Sequence, residues 1–148
     1  MLEGNLDNVL SSKIARVRRV NYVGPTGRCN PIEGPVEFTF DSGFTLRLES
    51  GADGESLRVF ADEWADPFAE PLSPENREFI EISGKWSAFD VSELEGYKLL
   101  IGQRVENFGL MTRMGKIIGV RLAIGPAILT AEVGADELLV DLRVEHGA

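Results

Sequence analysis

The chain has 148 residues, 43% of them hydrophobic and 26% charged, with a formal net charge of −9. Its length suits one domain spanning residues 1–148, and its charge excludes generic binding to nucleic acid or anionic membranes, where Lys and Arg must meet phosphate. No apolar run approaches the ~20 residues of a membrane span, and a single cysteine, Cys29, excludes an internal disulfide and favours a reducing, cytoplasmic setting.

The N-terminal MLEGNLDNVL has neither the basic nor the apolar segment of a secretory signal, so none is expected. Residues 10–17 (LSSKIARV) read as a first strand, basic at its start and continuing through Arg18 and Arg19. Lys13, Arg16, Arg18 and Arg19 are expected on its wet face, opposite Asp and Glu. Docking of an acidic segment of the same chain onto them is an alternative. The following loop, GPTGRCNPIEG, lacks the GK[ST] of a phosphate-binding loop. Cys29 within it has no histidine nearby in sequence to make it a nucleophile.

Strict alternation then takes over. Val36, Phe38 and Phe40 alternate with Glu37 and Thr39; after Asp41-Ser42-Gly43, Phe44, Leu46 and Leu48 alternate with Thr45, Arg47 and Glu49. Period two means half-buried antiparallel strands, and the three-residue link suits a hairpin with glycine in the left-handed position. A further strand is predicted around 56–60, after the glycine-rich turn at 51–54. Glu49, Asp53 and Glu55 resemble half a calcium loop, but turn chemistry accounts for them.

Residues 61–100 break the pattern and form a connector. Ser73 and Pro74 predict a helix start at SPENREFI. Asp90 and Glu93 predict a second short helix at DVSELEG, closed by Gly96, with SGKW as the turn between them. Seven of the nine net negative charges fall here, together with both tryptophans. An acidic segment rich in aromatics is expected to be ordered, some rings packing on the sheets. Asp62, Glu63, Trp64, Asp66, Glu70 and Trp86 are the candidate partner-binding residues: acids to attract a basic partner and an aromatic anchor among them. A solvated connector whose charges serve only solubility is the competing reading.

The second half, 101–148, repeats the first. IGQRVENF lies over LSSKIARV, Phe38 aligns with Leu122, Phe40 with Ile124, Leu46 with Leu129, and Gly51-Ala52-Asp53 with Gly134-Ala135-Asp136. Parity is kept across the strands, so inward residues fall on inward residues. Each half, 1–60 and 101–148, is therefore expected to be a four-stranded antiparallel meander. The fold expected is mainly β (α+β): two duplicated meanders packed as a sandwich or a partly open barrel, with short helices in the connector. Phe38, Phe40, Leu46, Leu122, Leu129 and Leu142 are the expected core. The only histidine, His146, sits in the final residues, and no catalytic triad or His/Cys zinc site can be assembled without it.

With two meanders, IGQRV opening the second and an acidic, tryptophan-bearing connector, the chain resembles small bacterial tandem β-meander proteins of unknown function. Some chains of that kind resemble immunity proteins of bacterial toxin systems. The resemblance implies no catalytic residue and, at most, an acidic protein occluding a basic effector such as a nuclease. The expected function is a non-enzymatic protein-binding module, with no cofactor and no metal, and with a basic protein as partner. A small-molecule binder or minor enzyme with a pocket between the meanders, and a structural homo-oligomer, are the alternatives.

Overall fold

The computed structural model describes residues 2–68 and 70–144 and is mainly β, with two antiparallel sheets. After a short helix α1 (Leu2–Asp7) come β1 (Ile14–Gly24), β2 (Gly27–Arg28), β3 (Val36–Phe40), β4 (Thr45–Ser50) and β5 (Leu57–Phe60). Helix α2 (Pro74–Ser83), β6 (Lys85–Asp90) and a 3-10 turn (Tyr97–Leu100) lead to β7 (Val105–Arg113), β8 (Lys116–Ile124), β9 (Ala127–Gly134) and β10 (Glu137–Val144). The first sheet runs β2-β1-β3-β4-β5 with β6 also on β1, and the second runs β10-β9-β8-β7; neither closes into a barrel.

The alternating residues do what their period demands. Phe38, Phe40, Leu46 and Leu48 from the first sheet share one hydrophobic cluster with Val120, Leu122, Ile124, Leu129 and Ala131 from the second. Of the expected core, Leu142 alone is only half-buried, because it lies toward the far end of the edge strand β10.

Pairing registers correspond between the sheets. Phe38 faces Leu46 as Leu122 faces Leu129, and Val17 faces Phe38 as Phe108 faces Leu122. Ile14 faces Phe40 as Val105 faces Ile124, and the register slips just after both, between Ile14 and Arg16 and between Val105 and Asn107. The third strands differ from the literal sequence echo. The triplet Leu-Arg-Val occurs at both 57–59 and 142–144, but Leu57 lies opposite Ser50 and Leu138 opposite Val133, so Leu57 corresponds to Leu138 and not to Leu142.

The two strand starts cross and bond reciprocally. Ser11 N–H donates to the Val105 carbonyl (2.8 Å) and Gly102 N–H to the Ile14 carbonyl (2.8 Å). Ile14 N–H donates to the Gln103 carbonyl (3.0 Å) and Val105 N–H to the Ser12 carbonyl (3.1 Å), with Lys13 opposite Arg104 at the centre. Each bond is the mate of the other under exchange of residues 11–14 with 102–105, the isologous pattern of a two-fold contact. Ser11 and Gly102 even share a left-handed backbone, at φ 66° and 82°. Just upstream, Val9 and Leu100 are both fully buried, each one turn before its strand.

The connector departs from expectation at its second half. Helix α2 forms as predicted, with the Ser73 hydroxyl accepting from Asn76 N–H and Pro74 at its first position. No helix forms at 90–96, and the expected turn SGKW instead opens β6. Asp90 accepts from Ser92 N–H in a local turn, and Val91 N–H bonds the Val17 carbonyl, so the chain is tied to β1 before a helix can propagate. Lys85 to Asp90 then pair with Val23 to Arg18.

Two outcomes follow for stability. Leu122→Ala, at a fully buried site, should cost about 2–5 kcal/mol, and Leu142→Ala clearly less. Because Ser11 already adopts the conformation of Gly102, which has open space around its Cβ direction, Gly102→Ser should cost only about 1–2 kcal/mol in a denaturant melt.

Candidate functional site

Both tryptophans named from the sequence line one cleft. Val20, Pro35, Glu49, Ser50 and Gly51 from the first half and Trp64 and Trp86 from the connector meet Asp136, Glu137 and Leu138 from the second half around a space of about 230 Å³. Trp86 is placed by β6 opposite Tyr22, whose ring it meets edge-on at 5.7 Å between centroids. Gly34 passes directly behind it: a Cβ there would lie 2.9 Å from the indole, and the backbone has φ +118°. Gly34 N–H also bonds the Leu138 carbonyl (2.8 Å), which ties the cleft wall to β10.

A buried arginine holds that wall. Arg19, expected on the wet face, is 3% exposed and turns inward. Its guanidinium donates to the carbonyls of Ile32, Gly34 and Pro35 and to the Tyr97 hydroxyl (3.0 Å). Asn21 adds bonds to the carbonyls of Pro31 and Glu33. A cation fastened to several neutral acceptors this way ties the 31–35 loop to β1.

Trp64 is held by a buried carboxylate. Glu37 was expected to face water, yet its side chain is 1% exposed. It accepts two bonds from Arg18 at 2.7 Å and one from Trp64 N–H at 2.8 Å, while Arg18 also donates to the Trp64 carbonyl. Burial works to raise the Glu37 pKa, but the Arg18 bonds, the Trp64 amide and the Arg16 charge outweigh it, so the carboxyl lies below its ordinary value.

Three of the four candidate acids are matched within the chain. Asp62 pairs with Arg47 at 2.6 Å, Glu63 with Arg16 at 2.9 Å, and Asp66 with Lys85. Glu70 is exposed and accepts locally from Leu72 N–H. The basic strand β1 thus receives Glu63 and, through Arg18, the Trp64 carbonyl, whereas Asp62 meets β4 and Asp66 meets the connector's own Lys85. Asp62, Glu63, Asp66 and Glu70 do not line the cleft beside the tryptophans.

The cleft's negative charge comes from elsewhere. Glu49 shares Arg47, but Asp136 and Glu137 come from the second half, at the β9–β10 turn. Glu137 is half-buried; burial, then the charges of Glu33 and Asp136, push its pKa up. No Lys or Arg is among the residues lining the cleft. Sequence reasoning singled out Asp136 only as the turn counterpart of Asp53 and missed Glu137. Asp53 itself is occupied by turn bonds: Glu55 N–H and the Ser56 hydroxyl, with Lys116 beyond them, hold its carboxyl at about 2.

Cys29 is exposed, and His146 lies outside the described residues. Among the described residues no cluster of His, Cys, Asp and Glu is placed to hold a metal, and no helix is long and apolar enough to cross a membrane. Comparison with protein-family models, curated proteins and solved structures found no match.

Glu37 should make the site acid-sensitive. A carboxyl with a lowered folded-state pKa stabilises above its unfolded value, near 4.5, and that contribution is lost as pH falls through the folded pKa. Tryptophan fluorescence followed in acid should therefore report release of Trp64 in the wild type. Glu37→Gln should already be about 2–4 kcal/mol less stable at neutral pH and should lack this acid step. Reversing Asp62, Glu63 and Asp66 together should lower the melting temperature, since it sets like charges against Arg47, Arg16 and Lys85.

Proposed function

We propose that the chain is an internally duplicated, non-enzymatic protein-binding module that takes a Lys or Arg side chain of a basic partner between Trp64 and Trp86. The observation that carries this reading is the cleft itself: indole walls with Glu49, Asp136 and Glu137 around them and no cation on the lining. Aromatic faces attract cations by about 0.5–2 kcal/mol, more as water is excluded, and carboxylates supply the opposite charge. Burial, then the charges of Glu33 and Asp136, raise the Glu137 pKa, and an incoming cation would favour its charged form.

The size of the space argues for one side chain. At about 230 Å³ it lies below the roughly 300–1,000 Å³ of sites for drug-sized molecules. A basic effector occluded by this surface, with the module as its immunity-type inhibitor, is the fullest form of the proposal. The exposed Cys29 thiol is compatible with a reducing cytoplasm. The matching registers and the reciprocal crossing support duplication as the origin of the two sheets.

Titration of tryptophan fluorescence with a Lys/Arg-rich peptide tests it, with a Glu/Gln-rich peptide and free lysine as controls. Saturable, salt-sensitive quenching by the basic peptide alone is expected, weakened at least about tenfold by the pair Asp136→Asn, Glu137→Gln. Binding that survives this pair but is lost on reversing Glu70 would return the site to the connector acids. Equal binding of free lysine would make the cleft a small-molecule site.

A further inference from the structure

Helix α2 presents a stripe that is largely uncovered among the described residues. None of its residues is buried, and Phe79 and Ile82 are 51% and 69% exposed, although Phe68 stacks on one side of Phe79. Steps of three and four residues set Glu75, Glu78, Phe79 and Ile82 along one side of the helix. A helix of ten residues is marginal alone and gains its stability from packing, so an acidic and apolar stripe left open invites a partner.

The outer face of the second sheet has the complementary chemistry. Met111, Ala123 and Ile128 border an open hollow of about 280 Å³ with Arg121 at its side. Arg121 and Ile128 continue into a neighbouring hollow with Thr130, Asp141 and Arg143, where two arginines outnumber one carboxylate. Both arginines are exposed, and among the described residues neither forms a salt bridge. The corresponding face of the first sheet is not open. There the acidic connector lies across Arg16, Arg18 and Arg47 with Trp64 among its contacts. Among the described residues, the fold thus covers one arginine-bearing sheet face with an acidic, aromatic-bearing segment and leaves the other open.

We infer that α2 of one copy docks on the outer face of the second sheet of another copy. Glu75 and Glu78 meet Arg121 and Arg143, while Phe79 and Ile82 enter the hollow beside Met111 and Ile128. The occupant is a second copy because one chain carries both halves of the match. Within that chain α2 lies by the turn after β1, where Ile80 and Glu81 share a hollow with Val23 and Pro25. This association is independent of the tryptophan cleft.

Sedimentation equilibrium of the full chain, from low micromolar to submillimolar concentration, tests it. The average mass should rise above the 16.2 kDa of one chain and fall back in high salt. Arg121→Glu and Glu78→Arg, each exposed and each checked for folding by thermal melt, should weaken association by at least about tenfold. An equimolar mixture of the two variants should associate again, since every contact between unlike copies then pairs opposite charges. Single-chain mass for the wild type throughout overturns the inference. So does association that both variants retain, or a mixture of folded variants that stays monomeric.

Discussion

The crossing of residues 11–14 with 102–105 is the constraint on which the rest of the molecule depends. A meander with one apolar face must bury it, and two sheets could stack in many ways with similar loss of exposed area. Directional backbone bonds remove that freedom. Four N–H donors at the strand starts bond the other half, so sliding one sheet over the other would break all four and strand those of Ile14 and Val105, which are buried beside Val9 and Leu100. The bonds from Gly34 N–H to Leu138 and from Val140 N–H to Ile32 join the halves a second time, at the loop that walls the cleft. The cleft is thus a consequence of how the sheets are joined, with its tryptophans on the connector and its free carboxylates, Asp136 and Glu137, on the second half.

Charge is arranged by the same logic. The connector is strongly acidic in sequence, yet most of the acids first suspected face arginines or a lysine of their own chain. Glu37 sits beneath them as the buried acceptor for Arg18 and for the backbone of Trp64. An ion pair in this position contributes little net stability compared with an apolar packing, but it fixes geometry, because removing one partner leaves the other uncompensated. Specific placement of Trp64 over the sheet is what that arrangement provides. Local net charge was therefore a poor guide to which carboxylates lack a basic neighbour.

What could be read from the sequence was governed by whether the relevant partner was local. Strands β3, β4, β8, β9 and β10 were legible because one face of each meets the core, and alternation records that directly. Helix α2 was legible from Ser73 and Pro74, a signal complete within a few residues. Strand β6 was not, because six residues of KWSAFD carry little periodic information and Asp90 three before Glu93 imitates a helix cap. Its strand character comes from the edge of β1, far away in sequence. Glu37 and Arg19 misled for a related reason: alternation assigns them a face but does not reveal that the connector covers one and the 31–35 loop receives the other. Trp64 and Trp86 stood out as rare, large side chains in an acidic setting. Asp136 and Glu137 had no comparable signal, since their meaning depends on the opposite half.

The most direct test of this account is an NMR titration of the full chain with a lysine-rich peptide, following both indole N–H signals and the backbone amides. The account predicts that the indoles of Trp64 and Trp86 shift together with the amides of Gly51, Asp136 and Glu137, with one common midpoint. Shifts confined to residues 61–63 and 65–70, with those indoles and the β9–β10 turn unmoved, would contradict it.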